Sequence, residues 1–166
     1  MRLVKVPNGW LCPDDPGEPQ GGKRWSINSV EARVLSELFR NLRVLEIGTG
    51  LGVSTKGIAK TALEVHTVDI DEWVEKTVAP ELPENCKFYR DVTRVPRPLD
   101  AAFIDGLHTK EQCSKDIVIT RKIVKKGGII VFHDTHIQDV YDAIAESEMY
   151  GVEIKTFAGM AMVWND

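Results

Sequence analysis

Arg43-Val44-Leu45-Glu46-Ile47 runs straight into Gly48-Thr49-Gly50-Leu51-Gly52, and that junction limits the chain to few folds. Val44 to Ile47 reads as a buried strand. Three glycines at alternate positions follow, and Val53 to Ala62 reads as a helix. A strand, a tight glycine turn and a helix form the first half of a nucleotide-binding βαβ unit. Glycine allows a left-handed backbone and lets a ligand approach the main chain. The helix start adds free N–H groups.

The rest of the chain repeats that alternation. Residues 7–25 are rich in Pro and Gly and read as a long loop carrying Trp10 and Trp25, an arm or flap over a ligand. A helix follows, with Asn28 and Glu31 in capping-box spacing and Val34, Leu35, Leu38 and Phe39 on its core face. Further strands are expected at Glu64–Val68, Cys86–Tyr89, Asp100–Ile104 and Gly128–Phe132. Asp71 caps a helix over Glu72–Val78. Thr109 and Gln112 form a second capping-box pair, opening a helix to about Lys126 that Gly127 ends, with Ile117, Val118, Arg121 and Val124 along one side. Another helix runs from Ile137 to about Glu146 with Val140, Tyr141 and Ile144 inward. Strands at Val152–Phe157 and Met160–Trp164, separated by Ala158 and Gly159, should pair as an antiparallel hairpin. The expected architecture is α/β: a Rossmann-like, doubly wound, mostly parallel seven-stranded sheet with a C-terminal antiparallel hairpin. Residues 1–27 form the arm, and 28–166 a single domain.

The chemistry collects at strand ends. Glu46 and Gly48 close the first strand, Asp69 the second, Asp91 follows the third, Asp105 and His108 the fourth, His133 and Asp134 the fifth. In a parallel sheet these ends share one edge, where ligands bind. The glycine spacing is G-x-G-x-G, with Val53 where a dinucleotide site has its third glycine. No G-K-[ST] follows, which excludes a phosphate-gripping loop. Acids around a glycine turn suit a cationic ligand rich in hydroxyl and amine donors, and Asp69 is placed to accept from ribose hydroxyls.

Val44-Leu45-Glu46-Ile47-Gly48-Thr49-Gly50-Leu51-Gly52, Val68-Asp69-Ile70-Asp71, Arg90-Asp91-Val92, and Phe103-Ile104-Asp105-Gly106-Leu107-His108 with Gly128-Ile129-Ile130-Val131-Phe132-His133-Asp134 occur in that order. The set resembles class I S-adenosylmethionine-dependent methyltransferases, in the branch that includes many small-molecule O-methyltransferases. The resemblance covers about residues 28–164. It implies S-adenosylmethionine as cofactor, held by Glu46, Gly48, Thr49, Gly50, Gly52, Ser54, Asp69, Ile70, Asp91, Val92 and Asp105. It implies catalytic roles for Asp105 and for His108 as base, and a small-molecule acceptor. In metal-dependent relatives acids at the positions of Asp105 and Asp134 hold a divalent cation, so Mg²⁺ enters as a further expectation. The sequence departs from those relatives at Thr135, where they carry an amide or acid. The N-P-P-Y acceptor motif of amine and base methyltransferases is absent, since Ile104-Asp105-Gly106-Leu107 stands there. A cofactor-binding module without catalysis, serving as partner or regulator, is the alternative from another class.

Composition narrows the setting. A formal charge of -4 gives no argument for nucleic acid. No apolar run approaches the ~20 residues that span a bilayer, and Met1 to Pro7 lacks the apolar core of a secretion signal. Cys12, Cys86 and Cys113 are odd in number without a C-x-x-C pair, which reads as reduced thiols in a cytoplasmic protein. The chain has little material beyond the core sheet. The acceptor pocket is therefore expected from the arm, from a second copy in a homo-oligomer, or from the acceptor itself.

Overall fold

The computed structural model describes residues 3–5 and 26–166. In chain order its elements are β1 (Leu3–Lys5), α1 (Ser29–Leu38), β2 (Arg43–Ile47), α2 (Val53–Ala59), β3 (Glu64–Val68), α3 (Glu72–Thr77), β4 (Cys86–Tyr89), β5 (Leu99–Ile104), α4 (Lys110–Ile123), β6 (Val124–His133), α5 (Gln138–Glu146), β7 (Gly151–Ile154) and β8 (Met160–Trp164). One sheet holds every strand, in the order β1-β7-β8-β6-β5-β2-β3-β4. β2 to β6 run parallel, and β8 runs antiparallel to both β6 and β7. The seven expected strands are present, and β1 extends the sheet beside β7. The arm expected over residues 1–27, with Trp10, Cys12 and Trp25, lies largely outside the described residues.

Strand periodicity divides the core in two. Ala101, Phe103 and Val131 face one side with Leu35, Phe39 and Ile58 from α1 and α2. Ala102, Ile104, Ile130 and Phe132 face the other with Ile117, Ile123, Val140 and Ile144 from α4 and α5. Adjacent residues of β5 and β6 thus feed opposite cores, as a strand's two-residue period requires. Chain order reverses between β2 and β5, and this switch point opens a crevice at the carboxyl ends.

Several sequence expectations shift in detail. α2 stops at Ala59, short of Ala62. α4 ends at Ile123, because Val124 already pairs with Leu99 and Asn165 Nδ2 donates to the Arg121 and Val124 carbonyls. Lys125, Lys126 and Gly127 therefore belong to β6. Gly127 takes φ +73 in the strand, near the register shift opposite Leu99 and Ala101. The Thr109 hydroxyl accepts from Gln112 N, but the Gln112 amide turns to Asp116, so only half of that capping box forms. The Asn28–Glu31 box is complete. Val118 and Tyr141 are exposed, and Asp116, Thr120 and Ala143 take buried places instead. β7 ends at Ile154, so five residues join it to β8. The last of them are bound elsewhere: Ala158 N donates to Glu31 Oε1, and Thr135 N to Gly159 O. Among the described residues no helix is long and apolar enough to cross a membrane.

Candidate active site

The turn after β2 is built on backbone that side chains rarely tolerate. Gly48, Gly50 and Gly52 have φ of +98, +48 and +73. A Cβ on Gly48 would stand 2.1 Å from Asp105 O, so β5 leaves no room there. A Cβ on Gly50 would meet nothing within 4 Å. Asp69 tethers the turn: its Oδ2 accepts from Gly50 N (2.9 Å) and its Oδ1 from Asp71 N (2.9 Å). Behind the turn, Thr67 Oγ1 donates to Glu46 Oε2 (2.6 Å) and pairs with Thr49 Oγ1 (2.6 Å). Thr55 donates to the same Glu46 oxygen.

Glu46 is fully buried, and its Oε1 has no hydrogen-bond partner. Burial pushes its carboxyl up to about 7, although hydroxyl donors act against the shift. It does not stand on the cavity wall. Ser54 and Thr49 do.

That wall encloses a cavity of about 730 Å³. Gly48, Thr49, Gly50 and Ser54 line one end, and Ser26 and Ile27 stand beside them. Asp69 and Ile70 follow. Ile70 is 82% exposed, and Arg90 holds its carbonyl (2.6 Å) while pairing with Glu75 (2.9 Å). Asp91 and Val92 line the far end; Asp91 Oδ1 caps the short turn Val92–Arg94 by accepting from Thr93 N (2.9 Å). Gly52 is not on the wall, because a Cβ there would press on Val78 and Leu82 instead. Among the cavity residues that the sequence does not mark as site residues are Gln112, Asp116 and Ile119 of α4. The four-residue spacing of Gln112 and Asp116, polar on the inward side of a helix, was the available signal.

The ends of β5 and β6 bring together the remaining acids and histidines. His108 Nε2 lies 3.0 Å from Asp134 Oδ2 and 3.4 Å from Asp105 Oδ1. His133 Nδ1 lies 3.2 Å and 3.4 Å from the same two carboxylates, and its Nε2 is 3.3 Å from Glu31 Oε2. Neither His133 nitrogen makes a well-directed hydrogen bond, so charge holds this contact more than geometry. Asp134 adopts φ +55, which turns its carboxylate inward. His136 Nδ1 contacts Ala158 O and stays 3.7 Å from Asp134.

The two carboxylates set the titration of the cluster. Hydrogen bonds to Asp105 and Asp134 raise His108 to about 9 against a desolvation penalty. Burial opposes the His133 charge, but Asp105, Asp134 and Glu31 outweigh it and raise it to about 12. Burial likewise works against the Asp105 and Asp134 charges, yet the histidines hold both below the usual carboxylate range. The two flanking carboxylates thus favour the imidazolium form of His108. Donor atoms of Asp105, His108 and Asp134 lie within 4.8 Å of one another. This set does not suit Mg²⁺, which prefers an all-oxygen shell. One donor is nitrogen, and both carboxylates already face two histidines.

Comparisons agree with the fold. A family model described as a methyltransferase domain matches residues 45–135, more than half of the chain. An O-methyltransferase from Bacillus cereus in complex with SAH superposes with TM-score 0.64 at 16% identity, covering 86% of this chain and 84% of that one. The O-methyltransferase TomG from Streptomyces achromogenes, in complex with SAM, gives TM-score 0.68 at 13% identity over 84% and 81%. A tRNA methyltransferase from Aquifex aeolicus gives 0.68 at 19% over 89% and 72%. A search of curated proteins finds no match to this sequence.

Proposed function

The chain belongs to the methyltransferase-domain family matched over residues 45–135, and from that premise we propose that it transfers a methyl group from S-adenosylmethionine to a hydroxyl oxygen of a small molecule. The observation that carries this reading is the cavity itself. Its wall runs from the glycine turn through Asp69 to Asp91, and the Asp105–His108 pair stands on the same wall.

The residues present fit the cofactor. The cavity has the volume of a cofactor site, and Gly50 leaves its side of the turn open. Ser54, Thr49 and the backbone at Gly48 and Gly50 would hold the methionine part, with Glu46 acting through the hydroxyls. Asp69, already fixed by two backbone amides, would accept from the ribose, and Asp91, Val92 and Ile70 would surround the base. The cofactor supplies a methyl group already activated on a sulfonium, so the protein's task is alignment and removal of the acceptor proton.

His108 supports oxygen as the acceptor. Its conjugate acid near 9 lies close to a phenolic hydroxyl at ~10, and matched values favour proton transfer. Its side chain is 41% exposed, so the proton it holds can pass to solvent. At pH 7 roughly one molecule in a hundred carries the neutral, proton-accepting imidazole. Asp105 and Asp134 orient the ring and stabilise the imidazolium formed when it takes a proton. Residues 28–166 would be the catalytic domain, with 1–27 as an arm beside it.

Calorimetric titration with S-adenosylmethionine, S-adenosylhomocysteine and NAD tests the cofactor. Transfer of labelled methyl to panels of phenols, alcohols and amines at pH 7 and 9 tests the acceptor. Binding of the sulfur nucleotides below about 100 μM and labelling of phenols, faster at pH 9, are expected. No binding below about 1 mM, or labelling of amines alone, would remove the reading.

A further inference from the structure

We infer that Asp116, a buried carboxylate on α4, recognises the exocyclic amine of the cofactor's adenine, with Gln112 fixing its orientation. The inference rests on the S-adenosylmethionine reading and adds a specificity-determining residue that the family motifs in this sequence do not include.

With the glycine turn at the methionine end and Asp69 at the ribose, the remaining end of the cavity takes the base. Val92, Leu107 and Ile119, on the same wall, offer apolar surfaces against which a flat ring can lie. Asp116 also lines that wall and is 5% exposed. A carboxylate so enclosed needs partners. Its Oδ1 has one, the Gln112 Nε2 donor at 2.8 Å. Its Oδ2 has no hydrogen bond among the described residues. It lies 3.3 Å from the point a Cβ on Gly106 would occupy, so the missing side chain of Gly106 keeps this oxygen clear. Among the described residues no Lys, Arg or His pairs with it. An N–H donor from the ligand completes the site, and adenine presents one on its exocyclic nitrogen.

Asp91 is the rival acid. It is exposed, and one of its oxygens already caps the turn at Thr93. Asp116 is enclosed, where a hydrogen bond is worth more and a mismatch costs more. Burial raises its pKa, but an N–H donor from the ligand favours the ionised form, in which Oδ2 only accepts. A keto oxygen in place of the amine would instead set two acceptors against each other.

The test is calorimetric binding of the full chain to S-adenosylhomocysteine and to S-inosylhomocysteine, which carries an oxo group in place of the amine. The native protein should prefer the adenosyl compound by about 100-fold. In Asp116→Asn the Gln112 contact keeps the amide oxygen inward, so the amide N–H₂ faces the base. Affinity for S-adenosylhomocysteine should fall at least about tenfold, that for S-inosylhomocysteine should hold or rise, and the preference should shrink to within about threefold. Asp91→Asn, which also touches the base end, should weaken both compounds alike and so keep the native ratio. Equal binding of the two compounds by the native protein overturns the inference while leaving the cofactor reading intact. So does an unchanged preference in Asp116→Asn, or its loss in Asp91→Asn instead. Binding of neither compound overturns both. The native comparison needs no variant, so a poorly folded Asp116→Asn does not blunt the test.

Discussion

His108 Nε2 stands 3.0 Å from Asp134 Oδ2 and joins the end of β5 to the end of β6 through charge. The ring also meets Asp105, so one imidazole answers two carboxylates from adjacent strands. Readily measured properties depend on this contact and its neighbours.

The first is the titration of His108. Its ring proton resonances should titrate near pH 9, against ~6.5 for a free histidine. Asp134→Asn removes one carboxylate and should move the midpoint down by about one unit. A native midpoint near 6.5 would sink the base assignment proposed above.

Stability should follow the same cluster. His108 and His133 have folded values raised above ~6.5, so their contribution is complete below that pH. It is lost progressively as pH climbs, through about 9 for His108 and on toward about 12 for His133. Melting temperature should therefore decline from pH 6.5 to 9, and His108→Gln should flatten that slope. The buried Glu46 acts in the same direction at lower pH. Its value is raised to about 7, so the fold weakens as pH rises from ~4.5 to 7 and the carboxyl is forced to ionise. Glu46→Gln should remove that part of the decline.

Glu31 links three segments. Its carboxylate caps α1 at Asn28, meets His133 and accepts from Ala158 N in the β7–β8 connection. Glu31→Ala leaves His133 buried beside fewer charges and should cost about 3–5 kcal/mol in urea unfolding. Glu31→Gln keeps the cap acceptor and should cost less. Equal stability of Glu31→Ala and native protein would show that the link is incidental.

Two glycines of one turn should respond differently. Gly48→Ala drives a Cβ into the Asp105 carbonyl and should abolish S-adenosylhomocysteine binding or destabilise the fold by more than about 3 kcal/mol. Gly50→Ala meets open space, so only its positive φ opposes it, at a cost of about 1–2 kcal/mol. Melting curves of the two variants separate the cases.

Divalent metal gives a further check. The mixed donors around His108 predict that EDTA leaves nucleotide binding and the His108 midpoint unchanged, and that about 10 mM Mg²⁺ does the same. A Mg²⁺-dependent drop in that midpoint would restore the metal expectation drawn from the family resemblance.

Much of the fold was legible in local pattern. Apolar runs with a two-residue period, the Asn28–Glu31 box, Asp71 before α3 and three glycines in alternation each carry their meaning within a few residues. The misread places are those where a distant partner overrides local preference. α4 reads as continuing to Lys126 until Asn165, 41 residues beyond Val124, takes its last carbonyls. β7 reads as continuing to Phe157 until Glu31 and Thr135 claim the connection.

The sequence by itself determined which residues gather at the carboxyl edge, because parallel βα alternation brings every strand end to one side whatever the loops do. Only the tertiary structure decided what each of them faces. It set Glu46 behind the turn with an orphaned oxygen, wrapped His108 in two carboxylates and turned Asp116 toward the cavity beneath Gly106. Burial and charge pairing are properties of the assembled neighbourhood. A residue's place in the chain orders it along an edge, while its ionisation depends on what other segments pack against it.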